Sequence, residues 1–287
     1  MSLTAHGRIA GIVGWPVAHS LSPLLHRHWL RELAIDGAYL ALPVARIDFS
    51  NALNGLRKTG FRGVNVTVPH KEAAFALAHE ADATARAAGA VNLLLFRNER
   101  FVGCNTDVAG LRTSLAETLG ADGLHGRAVL LLGAGGAARA AVLACDLLQA
   151  SDIRVASRRI GRADALVSAL KPHVGAQLRP FAWSDWSKAA ANVRLLVNAT
   201  SAGMKGAAEL ALNLDALTSA AAVCDLVYNP LETKLLKSAR AKGHVTIDGL
   251  GMLMHQAVPA FEAFYGVTPY VGPALRLALE AELRRAG

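Results

Sequence analysis

Five apolar residues, Ala128–Leu132, run directly into Gly133-Ala134-Gly135-Gly136-Ala137-Ala138 and then into an alanine-rich stretch reaching about Gln149. A short unbroken apolar run reads as a strand buried on both faces, and the alanines after it read as a helix. The glycine spacing between them is the G-x-G-x-x-G/A arrangement. Its first glycine permits a tight turn, its second lets the backbone approach a pyrophosphate, and a small residue at the third place, here Ala138, lets helix and strand pack closely. The pyrophosphate then meets the positive end of the helix. The strand–turn–helix context separates this motif from a bare run of glycines and constrains the surrounding chain to an α/β arrangement.

The end of the next strand, Ile153–Ala156, is the second diagnostic place, about 20 residues on. An NAD site puts Asp or Glu there to hold the ribose 2′-hydroxyl. This chain has Ser157, Arg158, Arg159 and, one turn later, Arg162. Guanidinium groups suit a 2′-phosphate through charge-assisted, often bidentate, hydrogen bonds. The expectation is NADP rather than NAD. Gly133, Ala134, Gly135, Gly136, Ala137, Ser157, Arg158, Arg159 and Arg162 are its candidate ligands, and a solvated basic loop is the alternative reading of the arginines.

Strand and helix patterns alternate along the rest of the 287 residues. Strands are predicted at Arg8–Gly14, Ala38–Val44, Gly63–Val68, Ala90–Phe96 and Phe101–Cys104, the last two joined by a hairpin turn at Arg97–Arg100. Further strands are predicted at Leu195–Asn198, Val223–Val227 and Val245–Ile247. Helices are predicted at Ser22–Leu33, at Asp48–Lys58 with Asp48 as cap, at Asp107–Leu119, and at Met252–Tyr265 and Pro273–Arg285. Such alternation points to parallel sheet covered on both faces.

Composition narrows the functional classes. The chain is 53% hydrophobic, which excludes disorder, and its three cysteines exclude a disulfide scaffold. No apolar run approaches the ~20 residues of a membrane helix, and the start lacks a secretory signal pattern, so a cytoplasmic protein without membrane association is expected. The formal charge is +8 and the pI about 9.8. Lys and Arg are scattered singly apart from Arg154, Arg158, Arg159 and Arg162, which favours a small anionic ligand over nucleic acid. The ten histidines and three cysteines show no ligand spacing, so no metal is expected.

Four polar clusters, each after a strand or in a turn, carry the remaining signal: Ser20-Leu21-Ser22, Asn65 to Lys71, Gly89 to Asn92, and Asn105-Thr106-Asp107. With the motifs H-S-L-S-P (His19 to Pro23), G-x-N-V-T-V-P-x-K (Gly63 to Lys71), G-A-V-N (Gly89 to Asn92), N-T-D (Asn105 to Asp107), G-A-G-G-A (Gly133 to Ala137), N-A-T-S-x-G-M (Asn198 to Met204), D-x-x-Y-N-P-x-x-T (Asp225 to Thr233) and D-G-x-x-M-L-x-x-Q (Asp248 to Gln256), the chain resembles the NADP-dependent shikimate dehydrogenase family over essentially its whole length. The resemblance implies an α/β protein of two domains. These are a substrate domain at 1–107 plus 250–287 and an inserted Rossmann-type NADP domain at 108–249, in a monomer or homodimer. It implies reversible reduction of 3-dehydroshikimate to shikimate with NADPH, in chorismate and aromatic amino acid biosynthesis. A quinate/shikimate dehydrogenase of the same fold is the alternative; it often prefers NAD, which the missing acid near Ser157 disfavours.

The family's roles fall on matching positions. Ser20 and Ser22 would hold the substrate carboxylate, with Tyr228 at that end. Thr67, Asn92, Asp107 and Gln256 would bind ring hydroxyls. Lys71, paired with Asp107 in the catalytic set, would donate the proton in reduction and accept it in oxidation. Leu226 would lie near the cofactor and Gly249 near its nicotinamide. The chemistry agrees, because a ketone accepting hydride becomes an alkoxide that an ammonium can stabilise and protonate. Plainer readings coexist: Ser22 and Asp107 as helix caps, and His70 as a surface neighbour of Lys71. Leu93, Trp15, Ser157 and Arg159 depart from the family's usual residues.

Overall fold

The computed structural model describes residues 3–286, which form two compact units. The first comprises residues up to Thr106 together with Gln256–Ala281; the second comprises Asp107–His255 and the residues from Glu282. The division falls inside a single helix, Gly249–Tyr265.

In the first unit the strands are β1 (Arg8–Gly14), β2 (Gly37–Pro43), β3 (Gly63–Val66), β4 (Glu80–Ala81), β5 (Leu93–Arg97) and β6 (Arg100–Cys104), in the order β2-β1-β3-β5-β6-β4. The β1–β2, β1–β3 and β4–β6 pairs are parallel, whereas β3–β5 and β5–β6 are antiparallel. This sheet is therefore mixed, where strand–helix alternation alone suggested a parallel one. The cause is local: Asn98 and Glu99 both take positive φ, 45° and 68°, the requirement of a tight two-residue hairpin. So short a link cannot make a parallel crossover. Helices Ser22–Glu32 and Phe49–Lys58 present their apolar residues to this sheet. Trp29, Leu25, Phe261 and Tyr265 are fully buried, and Phe49, Leu53, Val64, Val66 and Leu94 form a further core cluster.

The second unit holds β7 (Ala128–Leu132), β8 (Asp152–Ser157), β9 (Gln177–Ala182), β10 (Val193–Asn198), β11 (Ala222–Asp225) and β12 (Val245–Ile247). All pairs are parallel, in the order β12-β11-β10-β7-β8-β9. Counted from β7, this is the 3-2-1-4-5-6 order of a dinucleotide-binding doubly wound sheet. Its core gathers Leu130, Leu132, Leu196, Val223 and Leu235, all essentially without solvent contact.

Several expectations shift. Strand β9 was not foreseen: it carries Pro180, is nowhere fully buried, and sits at a sheet edge, where proline is tolerated. The two-residue β4 leaves almost no pattern to read. Asp48 holds the N-cap position of the helix Phe49–Lys58, but it also ends a 3₁₀ turn, Arg46–Asp48, and its side chain makes no cap bond. Arg154 is not part of a free basic cluster, since it bonds Asp152 (2.8 Å) and the carbonyls of Ala189 (2.7 Å) and Ala191 (2.6 Å). Among the described residues no helix is long and apolar enough to cross a membrane. Nor is any group of three or more His, Cys, Asp or Glu placed to hold a metal ion.

Candidate functional site

In the first unit, the candidate residues gather around the carboxyl ends of β1 and β3 and the start of β5. Thr67 follows β3; its N–H donates to Val13 on β1 (2.9 Å) and its carbonyl accepts from His70 (2.9 Å). Gly14 makes room for this: a Cβ there would stand 2.4 Å from the Thr67 methyl. Ser22 does not cap the helix: Leu21 stands at the N-cap position, and the residue before it, Ser20, braces the entry. Its Oγ accepts the Ser22 N–H at 3.2 Å, and Ser22 is the first residue of the helix. A serine hydroxyl that accepts in this way still has its own proton to donate.

Lys71, half-buried, is the first residue of the helix Lys71–Leu77, and its carbonyl accepts the N–H of Val91 (3.0 Å), which ties it beside Asn92. Asn92 is buried within a polar chain. Tyr39 Oη donates to Asn65 Oδ1 (2.7 Å), and Asn65 Nδ2 donates to the Asn92 carbonyl (3.1 Å). Asn92 Nδ2 donates to Thr106 Oγ1 (2.9 Å), and the Thr106 N–H returns to Asn92 Oδ1 (2.8 Å). Gln256 Oε1 lies 3.4 Å from Asn92 Nδ2 and 3.5 Å from Thr106 Oγ1. Burial, with Tyr265 beside it, raises the Tyr39 phenol well above its ordinary value, so it remains a donor. Tyr39, Asn65 and Thr106 were given no role from sequence; the available signal was a polar asparagine inside an otherwise apolar strand.

His70 is not a surface residue. It is 1% exposed, stacks on Phe49 (centroids 4.4 Å apart, 5° between planes), and its Nε2 proton goes to the Val44 carbonyl at 2.7 Å. That commitment removes it as a general acid and makes it a support for the turn leading into Lys71.

In the second unit a cavity of about 590 Å³ is lined by Gly133, Ala134, Gly135, Ser157, Arg158, Arg159, Arg162, Trp183, Ala199, Thr200 and Ser201. It lies at the carboxyl ends of β7, β8 and β10, where the strand order reverses, the usual ligand position in such sheets. Gly133 has φ +112°, and a Cβ on it would come within 2.9 Å of the Ala199 carbonyl, so the turn itself demands glycine. A Cβ on Gly135 or Gly136 would meet nothing within 4 Å. Protein packing does not require those two glycines, whereas an approaching phosphate would. Among the described residues no carboxylate lines the cavity, and Arg158, Arg159 and Arg162 are exposed. The lining fits a dinucleotide bearing a 2′-phosphate.

Gly136, Ala137, Leu226 and Gly249 are not among the residues lining this cavity. Leu226 and Gly249 nonetheless meet: a Cβ on Gly249 would lie 2.3 Å from the Leu226 carbonyl oxygen. Behind them Asp225, fully buried, joins three segments. It accepts from Asn198 Nδ2 (2.8 Å), the Val227 N–H (3.0 Å) and Thr233 Oγ1 (2.7 Å). Burial pushes its carboxyl upward, and these donors pull it back. Asn198 in turn accepts from Thr200, holding the loop that lines the cavity. Tyr228, half-buried, follows two residues after Leu226. Asp107 is buried at the first position of the helix Asp107–Leu119, inside the helix rather than capping it.

Comparison with known proteins adds an independent line. The model of the shikimate dehydrogenase substrate-binding domain matches residues 12–94. A shikimate dehydrogenase (NADP(+)) from Methylobacterium radiotolerans is 50% identical, covering 96% of this chain and 97% of its own. The chain belongs to the shikimate dehydrogenase family. This family comprises NADP-dependent oxidoreductases that act on a CH–OH group. The fold follows it. The Thermus thermophilus shikimate 5-dehydrogenase, solved with NADP(H) and shikimate, superposes with a TM-score of 0.83 at 36% identity, covering 98% of this chain and 100% of that one. A quinate dehydrogenase from Corynebacterium glutamicum, solved with NAD, superposes at 0.87 with 30% identity, covering 97% and 99%. The shikimate dehydrogenase fold thus serves both substrates, and choosing between them rests on side chains.

Proposed function

We propose that this chain reduces 3-dehydroshikimate to shikimate with NADPH, the unit with the mixed sheet serving as substrate domain and the all-parallel unit as NADP domain. The observation that carries the cofactor choice is a cavity with three arginines and no carboxylate beside the glycine turn. When bound, NADPH supplies the hydride. Gly133, Ala134, Gly135, Gly136 and Ala137 receive its pyrophosphate, while Ser157, Arg158, Arg159 and Arg162 receive its 2′-phosphate. Leu226 and Gly249 border its nicotinamide end. Ser20 and Ser22 hold the substrate carboxylate, with Tyr228 at that end, and Thr67, Asn92, Asp107 and Gln256 hold ring hydroxyls. The fixed orientation of the Asn92 side chain by Thr106 supports that role. Lys71 donates its proton to the oxygen that the hydride leaves negative, and recovers one in the reverse direction.

The test is NADPH consumption with 3-dehydroshikimate, with NADH and quinate as controls. Turnover of quinate with NAD exceeding that of shikimate with NADP would overturn the assignment. A second expectation concerns Arg158. Arg158→Ala should weaken NADPH by about 1.5–3 kcal/mol, roughly 10- to 150-fold, through loss of a charge-assisted contact, and leave NADH nearly unchanged. Titration of both cofactors checks it; an equal loss would place Arg158 away from the 2′-phosphate.

A further inference from the structure

We infer that Trp183 is the platform on which the adenine ring of the dinucleotide stacks. This rests on the NADP reading of the cavity and adds a residue that the motifs leave without a role. Among the described residues Trp183 is the one aromatic side chain lining the cavity. Its ring is half-buried and packs against the core cluster of Leu130, Leu196 and Val223. It is therefore anchored on one side and open to the cavity on another.

Its position follows from strand register. Strands β8 and β9 run parallel with Ser157 opposite Ala182. The next residues, Arg158 and Trp183, leave the sheet at the same level on neighbouring strands. One ribose carries both the adenine and the 2′-phosphate. If arginines at the end of β8 hold that phosphate, the base has to lie within a sugar ring's width of them. Trp183 is the apolar surface available at that distance in register. An aromatic face suits a purine through stacking, and an arginine plane can cover the opposite face. The short turn Trp183–Asp185, closed by the Trp186 N–H on the Trp183 carbonyl, fixes the backbone that carries the ring.

The experiment is calorimetric binding of 5′-AMP, adenosine 2′,5′-bisphosphate, NADH and NADPH to the wild type, Trp183→Ala and Trp183→Phe. Trp183→Ala should weaken all four by a similar factor, roughly 5- to 100-fold, because the base and not the phosphate is read. Trp183→Phe should recover most of the loss. Thermal melting establishes that each variant is folded; should Trp183→Ala not fold, Trp183→Leu takes its place, keeping apolar bulk without a ring. Undiminished binding of 5′-AMP to a folded alanine or leucine variant overturns the inference. So does a loss confined to the 2′-phosphorylated ligands, which would mean that Trp183 only supports the arginines. Failure of the NADP reading looks different: wild type would then show no preference for adenosine 2′,5′-bisphosphate over 5′-AMP.

Discussion

Lys71→Ala should lower kcat by about 10²–10⁴-fold in a protein that still folds, the usual worth of a positioned proton donor. Hydride arrival at a ketone leaves charge on oxygen, and that charge must be met in the transition state rather than afterwards. Lys71 suits the task because its backbone is tied independently of its side chain, by the Val91 N–H on its carbonyl and by buried His70 just before it. Truncation at Cβ therefore removes the ammonium and leaves the Asn92–Thr106 pair in place. A cation at the start of the helix Lys71–Leu77 is opposed by the helix dipole, so a purely structural reason for lysine there is weak. Lys71→Arg should rescue little: its guanidinium stays charged and cannot take back a proton in the oxidation direction. Steady-state kinetics with both substrates saturating, alongside a thermal midpoint, checks this. A folded alanine variant with near-native kcat would remove Lys71 from the proton transfer.

What the sequence discloses here depends on how local the determinant is. The glycine turn and the arginines after β8 are each fixed by a few consecutive residues, so spacing reveals them, whereas the ends of β1 and β3 stand out only as polar clusters whose roles the family resemblance implies. Trp183 was invisible, because it follows directly on Ala182, which faces Ser157 across two parallel strands whose pairing no motif records. The strand that delivers it, β9, has a proline and no buried face, so neither periodicity nor propensity marks it. His70 misled for a related reason. A histidine between proline and lysine reads as solvated, yet Phe49 stacks on it and the Val44 carbonyl accepts its Nε2–H, both distant in sequence. Ser22 reads as a helix cap, yet it is the first residue of the helix, and its N–H donates to Ser20 Oγ just before it. The mixed character of the first sheet was legible in principle from the hairpin at Arg97–Arg100, but the wider strand–helix alternation outweighed it.

Replacing His26 by phenylalanine should raise the stability of the first unit increasingly as the pH falls. His26 is 1% exposed and enclosed by Tyr39, stacked at 3.8 Å, and by Trp29, Phe261, Phe264 and Tyr265. Neither of its ring nitrogens has a hydrogen-bond partner. Burial lowers its pKa from 6.5 to about 3. Between those two values the unfolded chain binds a proton that the folded chain refuses, so the stability attributable to this group falls as the pH drops below 6.5. The slope approaches about 1.4 kcal/mol per pH unit. At neutral pH only the desolvated, unpaired nitrogens count against the fold, on the order of 1–3 kcal/mol, and an aromatic ring of similar shape avoids that cost. His26→Phe keeps the stacking partner for Tyr39 and cannot titrate. Urea unfolding of wild type and variant at pH 7.5, 6.5, 5.5 and 4.5 isolates the effect, because every other titrating group is common to both. The stability difference should be small and nearly flat above pH 6.5 and widen by roughly 1 kcal/mol or more for each unit below it. A difference that stays constant down to pH 4.5 would mean that the folded protein protonates His26 as readily as the unfolded chain does, and the buried, uncharged imidazole would have to be abandoned.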